Sequence, residues 1–450
     1  MTETQQQPKS GSTWLEHWDP EDQSEWDANC KPVAWRTLTI TTANLTMAFA
    51  VWFVVSALVV KLGDVGFDLS TSQLFWLAAM PGLAGGTFRI IHTFMVPIFG
   101  TRHVVTVGAL TLLLPLVGWF FAVQSDDTPY PVLLLLAFLA GVGGGCFSSF
   151  MPSTSLFFPK RLQGTALGIQ AGVGNFGVSL VQFATPWIIG FALAGSLLGG
   201  PQELEESGKD VWLQNATFIW IPVVAVLAVL AWFGLKSVPV RASFREQLDI
   251  FGNAHTWWMT SLYIMTFGSF AGFSASFPLL IKELYGDFPD APDPLRYAFL
   301  GPLVGSTMRV LAGPLSDRFG GSKVTVVSSI GLLVCAIGVT SATEPTSVDS
   351  FPLFVGWMLG LFFFSGIGNA STYKQMPMIF PARQAGGVLG WTAAIAAYGP
   401  FVFSVLIAWA IGASASGSPN MFFYGIAVFY AINIFINFWF YARPNAPHPC

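Results

Sequence analysis

Two arginines stand at matching places in long apolar stretches of this sequence. Arg89 lies within the segment 70–96 and Arg309 within 294–317, and a shift of 220 residues carries one onto the other. A charge at a bilayer centre costs about 2.5–3.5 kcal/mol on insertion scales, so a sequence retains one there only with compensation or a task. The usual compensation is a buried carboxylate. All 24 Asp and Glu fall in the tail, the loops or the span ends, with Glu283, Asp293 and Asp317 nearest, each at an end. Two guanidiniums without a carboxylate have the chemistry of an anion site. Arginine also offers a planar, weakly hydrated donor fork, which suits a planar oxyanion. Snorkelling to headgroups or bonding to backbone carbonyls is the alternative, and it leaves the matched positions unexplained.

A glycine-dense run, Gly164-Thr-Ala-Leu-Gly-Ile-Gln-Ala-Gly-Val-Gly-Asn175-Phe-Gly177, opens a later segment. Small residues let a second helix or a small ligand approach the backbone. Gly172 and Gly174 are therefore read as packing positions that also border the site. Asn175 is a polar side chain in the apolar zone and can donate to an anion. Aromatic residues interleave these groups: Phe49, Phe147, Tyr263, Phe362 and Phe363. Ring edges carry partial positive charge and rings exclude water. With 42 Phe in the chain, any single one is more often packing than ligand wall. His92, one helical turn past Arg89, and Lys374, inside an apolar segment, are the remaining titratable groups near these positions.

The elements that hold these residues are membrane spans. Hydrophobic residues make up 53% of the 450 and charged residues only 10%, against roughly 25% in soluble proteins. A span needs roughly 20 apolar residues. Twelve segments qualify: 36–61, 70–96, 104–123, 131–158, 164–197, 212–235, 255–283, 294–317, 324–343, 351–380, 386–413 and 421–441. The longer link 236–254 divides them into halves at 36–235 and 255–443, flanked by tails at 1–35 and 444–450. With the N-terminus in the cytoplasm, thirteen Lys and Arg, Lys9, Arg241 and Arg383 among them, fall on the cytoplasmic side and four on the outer side. That matches the positive-inside rule and puts both termini in the cytoplasm. Trp14, Trp18 and Trp26 suggest a tail folded onto the body, or else a short interfacial helix. Four scattered cysteines give no disulfide framework or metal spacing, and no signal peptide opens the chain.

The halves repeat. The shift of 220 also takes Phe99-Gly100 to Phe319-Gly320, while a shift of 222 takes Phe158-Pro159 to Phe380-Pro381 and Gly177 to Gly399. Two six-span halves in parallel relation, with a site between them near the midplane, are the plan of the major facilitator transporters. The expected fold is thus an all-α membrane protein, twelve helices in two six-helix halves around a central cavity. The run Gly313-Pro-Leu-Ser-Asp-Arg-Phe-Gly-Gly-Ser-Lys matches that superfamily's cytoplasmic loop. Its Asp317 and Arg318 are expected to clamp helix ends in one conformation.

The chain resembles the NarK-type nitrate/nitrite porters of that superfamily. The resemblance runs from Trp18-Asp-Pro-Glu-Asp to the last span. It is densest at Phe94-Met-Val-Pro-Ile-Phe-Gly100, Ala171-Gly-Val-Gly-Asn-Phe-Gly-Val-Ser179 and Phe267-Gly-Ser-Phe-Ala-Gly-Phe-Ser274. It implies that Arg89 and Arg309 bind the anion with help from Asn175 and Tyr263. It further implies that Phe147 and Phe362 or Phe363 sandwich the ion, and that Phe49 and Phe267 line or gate the cavity. Two departures stand out. Tyr398 replaces a small residue in the glycine-poor counterpart of the span 5 run, and Lys374 stands where a neutral residue is expected.

The function expected is exchange of nitrate for nitrite across a bacterial inner membrane by a monomer, with no cofactor and no nucleic acid partner. Membrane lipid is its surround. Proton-coupled nitrate uptake is the alternative, with His92 or Lys374 carrying the proton. An enzyme is disfavoured, since no nucleophile, metal cluster or nucleotide loop appears. A sensor would need a signalling domain, and an organic-phosphate exchanger a larger and more polar cavity.

Overall fold

The structure is a computed structural model that describes residues 13–93, 95–193, 198–204, 208–238 and 245–450. Expectations resting on Lys9, Phe94, Arg241 and positions 194–197 lie outside the described residues. Among the described residues, ten helices are long and apolar enough to cross a membrane: α1 (Gln23–Val65), α2 (Thr71–Thr93), α3 (Met95–Ala122), α4 (Tyr130–Ser155), α6 (Asn215–Gly234), α7 (Ala254–Tyr285), α9 (Gly321–Ala342), α10 (Val348–Ile379), α11 (Gln384–Ala413) and α12 (Asn420–Ala442). Two more complete the pattern, α5 (Lys160–Ile188) and α8 (Leu300–Phe319). They are long enough to span but more polar, because α5 carries the glycine run with Asn175 and α8 carries Arg309.

The first helix begins at Gln23, earlier than the 36 expected, capped by the Asp22 carboxylate, which accepts from the backbone N–H groups of Ser24 and Glu25. The tail before it folds onto the body. The Trp18 indole donates to Leu156 O at 3.2 Å, and Trp18 and Trp26 pack on Phe157 and Phe158. A hydrogen bond from Leu15 N to Ser237 O joins the tail to the link between halves, and Ser322 N donates to Cys450 O. Leu15 and Cys450 therefore lie at one end of the bundle.

The internal repeat is visible in the backbone. Gly100 and Gly320 both take positive φ, 76° and 92°, a conformation that favours glycine. Pro159 and Pro381, both extended, precede α5 and α11. In each half a glycine pair lets two helices touch. α2 crosses α4 where Gly85 meets Gly144, and α8 crosses α10 where Gly305 meets Gly366, with no room for a Cβ at either crossing.

Between halves the main seams are α2 with α11, α5 with α8, and α1 with α7. The first two are exchanged by the repeat. At the α2–α11 seam the ring of Tyr398 fills the space left by Gly86, and its hydroxyl lies 3.0 Å from Thr87 Oγ1. The bulky residue at 398 is thus matched by a glycine opposite.

The end away from the termini is closed by polar ties across the halves. Lys282 Nζ meets Asp64 Oδ1 at 2.6 Å and donates to Val60 O at 2.7 Å. Thr71 Oγ1 donates to Glu283 Oε2 at 3.0 Å, and Lys61 reaches Asp293 at 3.9 Å.

Candidate functional site

α2 and α8 each place an arginine one turn past a glycine crossing, Gly85 before Arg89 and Gly305 before Arg309. Both side chains are buried. Arg89 is wrapped on all sides. Its Nε donates to Gly144 O at 2.9 Å and its Nη1 to Ala393 O at 2.6 Å. Its guanidinium carbon lies 4.5 Å from the Phe147 ring centre, 5.0 Å from Phe267 and 5.3 Å from Trp52. Such cation–π contacts help hold a cation that water cannot solvate. The remaining donor, Nη2, has no partner.

Arg309 is more sparsely furnished. Its Nη2 lies 3.5 Å from the Tyr263 hydroxyl, and its guanidinium is 5.9 Å from both the Phe267 and the Tyr373 ring centres. Its Nη1 is buried without a partner. Phe267 thus stands beside both arginines. No carboxylate reaches either guanidinium among the described residues.

Phe267 and Tyr263 owe their aim to a wide turn. α7 relaxes into a π-helical turn over Ile264–Gly268, a feature frequent at functional sites. Tyr263 stacks on Phe267 at 5.5 Å, and Phe267 faces Phe147 at 6.4 Å with planes 29° apart. Phe49 supports Phe147 from behind at 6.2 Å. A cavity of about 160 Å³ reaches Phe147 from the end bearing Leu15 and Cys450, lined among others by Thr93, Met151, Tyr373 and Ala393.

Asn175 is fully buried, with neither amide atom hydrogen-bonded. Gly172 sits at the α5–α8 seam, where a Cβ would meet Val310 at 2.5 Å, and Gly174 packs against Leu45 of α1. Both glycines make helix contacts.

Four expectations change. Phe362 is buried, packed on Phe270 and Phe277 and filling the space at Gly301, one ring removed from Phe267. Phe363 is 37% exposed and touches Phe364. Neither ring of α10 lies against an arginine, and the aromatic run of α10 comes before the Gly366 crossing while the arginines come after theirs. The near-parallel rings beside Arg89 are Phe147 and Phe267. Lys374 is not beside the arginine pair either. Its ammonium pairs with Asp317, whose carboxylate side chain is 71% exposed, so both belong to the end of the bundle. Asp317 thereby joins α8 to α10, while Arg318 lies over Phe319. Finally, Arg89 does have backbone carbonyl partners.

His92 is buried, with Nδ1 2.9 Å from Ser149 Oγ. Sequence reasoning missed Trp52, Tyr373 and the carbonyls of Gly144 and Ala393. The spacing of a glycine four residues before each arginine was the available signal for the crossings. Nothing in the sequence marked the carbonyls.

Residues 38–348 match the Major Facilitator Superfamily. The chain is 67% identical over 441 residues to a Thermus thermophilus protein named a probable nitrate/nitrite antiporter, NarK2, covering 97% of this chain and 98% of that one. It is 35% identical to the Escherichia coli (strain K12) nitrate/nitrite transporter NarU, again over 97% and 98%. Among solved structures, a bacterial homologue of the human lysosomal transporter Spinster superposes with a TM-score of 0.65 at 17% identity, covering 90% of this chain and 93% of that one. A D-xylose–proton symporter gives 0.64 at 16%, covering 89% and 97%. With this fold and this full-length similarity, the chain is a multi-pass membrane protein that belongs to the Major Facilitator Superfamily and, within it, to the NarK-type nitrate/nitrite porters.

Proposed function

We propose that this protein carries nitrate and nitrite across a bacterial cytoplasmic membrane, exchanging one for the other by alternating access. The observation that carries the reading is the buried arginine pair around Phe267, one guanidinium from each half, with no carboxylate among the described residues to neutralise it. Relatives named for nitrate and nitrite supply the cargo. Arg89 and Arg309 hold the anion, Asn175 and Tyr263 add donors, and Phe147 with Phe267 flank it. Gly172 and Gly174 let α5 move closely against α8 and α1. The N- and C-terminal halves, 36–235 and 255–443 with the link 236–254, rock about the site. Both termini lie in the cytoplasm, so the 160 Å³ cavity is the cytoplasmic approach and the Lys282–Asp64 ties close the outer side. The chain acts as a monomer.

The fixed charge of the two arginines accounts for exchange. Two buried charges of like sign are costly to carry through a changing environment. Arg89 donates to Ala393 O, in the opposite half, which ties the halves together at the site. A bound anion supplies a replacement acceptor and frees the halves to reorient.

Counterflow in proteoliposomes tests this. Labelled nitrate should enter vesicles loaded with nitrate or nitrite and should not enter empty ones. An inward proton gradient should not drive accumulation. Strong accumulation in empty vesicles under that gradient would replace exchange with proton symport, for which His92 is the internal titratable candidate.

A further inference from the structure

One buried side chain of the C-terminal half lacks both a partner and a role. Asn369 on α10 is fully buried, and neither its Nδ2 nor its Oδ1 is hydrogen-bonded. Leaving a buried amide unsatisfied costs stability, and native proteins rarely do so without a reason.

The repeat fixes where Asn369 stands. The shift of 220 takes Gly85 and Arg89 to Gly305 and Arg309, and the shift of 222 takes Gly144 and Phe147 to Gly366 and Asn369. Both glycine crossings exist: Gly144 would put a Cβ 2.9 Å from Gly85 Cα, and Gly366 would run into Gly305 O. One turn beyond the first crossing, Phe147 covers Arg89 at 4.5 Å. One turn beyond the second, the corresponding residues are Asn369 and Arg309. Tyr373, a further turn along the same face of α10, lies 5.9 Å from the Arg309 guanidinium, so this face looks into the site. Arg309 Nη1 is itself buried without an acceptor.

We infer that Asn369 completes the anion site on the side of Arg309. Its Nδ2 donates to the bound oxyanion while its Oδ1 accepts from Arg309 Nη1. Two buried groups without partners become each other's partner, and the amide's second pole faces the cargo. A neutral amide adds a donor without a third positive charge, so the anion is oriented but not trapped. The N-terminal half puts a ring at this position and the C-terminal half a hydrogen-bond donor. The inference rests on the proposal that Arg309 binds nitrate.

The test is nitrate titration of the purified protein by calorimetry, with counterflow alongside. Asn369→Leu keeps the branched side-chain skeleton, slightly enlarged, and removes both poles. It should raise the nitrate Kd about tenfold, equivalent to about 1.4 kcal/mol. Asn369→Ser, smaller but polar, should bind better than Asn369→Leu, whereas a residue that merely packs would show the opposite order. Asn369→Asp is nearly isosteric and sets a carboxylate against Arg309, so nitrate binding should be lost. Arg309→Lys is run in parallel. Near-normal affinity in Arg309→Lys would overturn the parent reading. Weakened affinity in Arg309→Lys, with an unchanged Kd in Asn369→Leu or Asn369→Asp, whichever folds, would overturn the role of Asn369 alone.

Discussion

The two halves set an arginine at equivalent positions and furnish it differently. Arg89 is held by a carbonyl of its own half, Gly144 O, by a carbonyl of the opposite half, Ala393 O, and by three rings. Arg309 has one long contact to Tyr263 and two more distant rings. The repeat has kept the charge and let the surroundings diverge. Each guanidinium keeps a buried nitrogen without a partner, Nη2 of Arg89 and Nη1 of Arg309, but Arg89 alone is also tied to the other half.

Replacing either arginine by lysine should have the largest effect. Lysine keeps the charge but loses the planar fork. Each charged hydrogen bond removed is worth about 1.5–3 kcal/mol, so uptake should fall by roughly ten- to a hundredfold or more in both variants. The comparison predicts a split. Arg309→Lys should weaken equilibrium nitrate binding most. Arg89→Lys should slow exchange beyond its effect on binding, because it also removes the tie to Ala393. Equal losses of affinity and rate in the two variants would erase the distinction.

The rings sharpen the same contrast. Phe267 stands beside both guanidiniums and Phe147 beside one. A cation–π contact in a desolvated place is worth about 2 kcal/mol. Phe267→Ala should thus cut transport more than Phe147→Ala, with both membrane levels checked by blotting. Phe363→Ala should change neither binding nor rate. A transport defect there at normal abundance would return the sandwich to α10.

Much of this was legible in the chain. The spans, the repeat, the arginine pair and the absence of a carboxylate between them follow from apolar runs and fixed offsets, which survive folding unchanged. The details that were not legible depend on how one helix is phased against another. The π-turn at Ile264–Gly268 re-aims Phe267 without any marker in the sequence, and the Gly305–Gly366 crossing decides that Phe362 falls on the wrong side of the arginine layer. Carbonyl partners such as Ala393 O are backbone atoms and carry no sequence signal at all. Lys374 looked like a charge inside a span because its partner, Asp317, is 57 residues away and was read as a loop residue.

The closed end of the bundle offers a smaller, opposite perturbation. Lys282 bridges to Asp64 and to Val60 O, and Thr71 bonds Glu283, so these contacts favour the conformation closed at that end. Exposed pairs contribute about 0.2–1 kcal/mol each. Lys282→Ala should shift the conformational equilibrium by a few-fold. Cysteines introduced along α1 and α7 should then label more quickly from that end, while nitrate affinity stays close to normal. Unchanged labelling would mean that the apolar seam alone holds that end shut.

Lys374→Gln should have the smallest effect. A lysine that carried a proton in the transport cycle would have to lie where the anion's charge reaches it and would have to lose its own charge within the membrane. Lys374 instead meets Asp317 at the edge of the bundle, where 29% of its side chain is exposed, and the pair links two helices of one half. Such a pair is worth about 0–1 kcal/mol in water-exposed settings. Removing the ammonium leaves Asp317 solvated and leaves the arginine layer untouched. Nitrate–nitrite exchange in Lys374→Gln should therefore stay within about twofold of the parent protein, and its dependence on pH should not change. An abolished exchange, or a pH profile that loses a titration step, would show that the charge at 374 takes part in the cycle and that the fixed pair of arginines is not the whole electrostatic machinery.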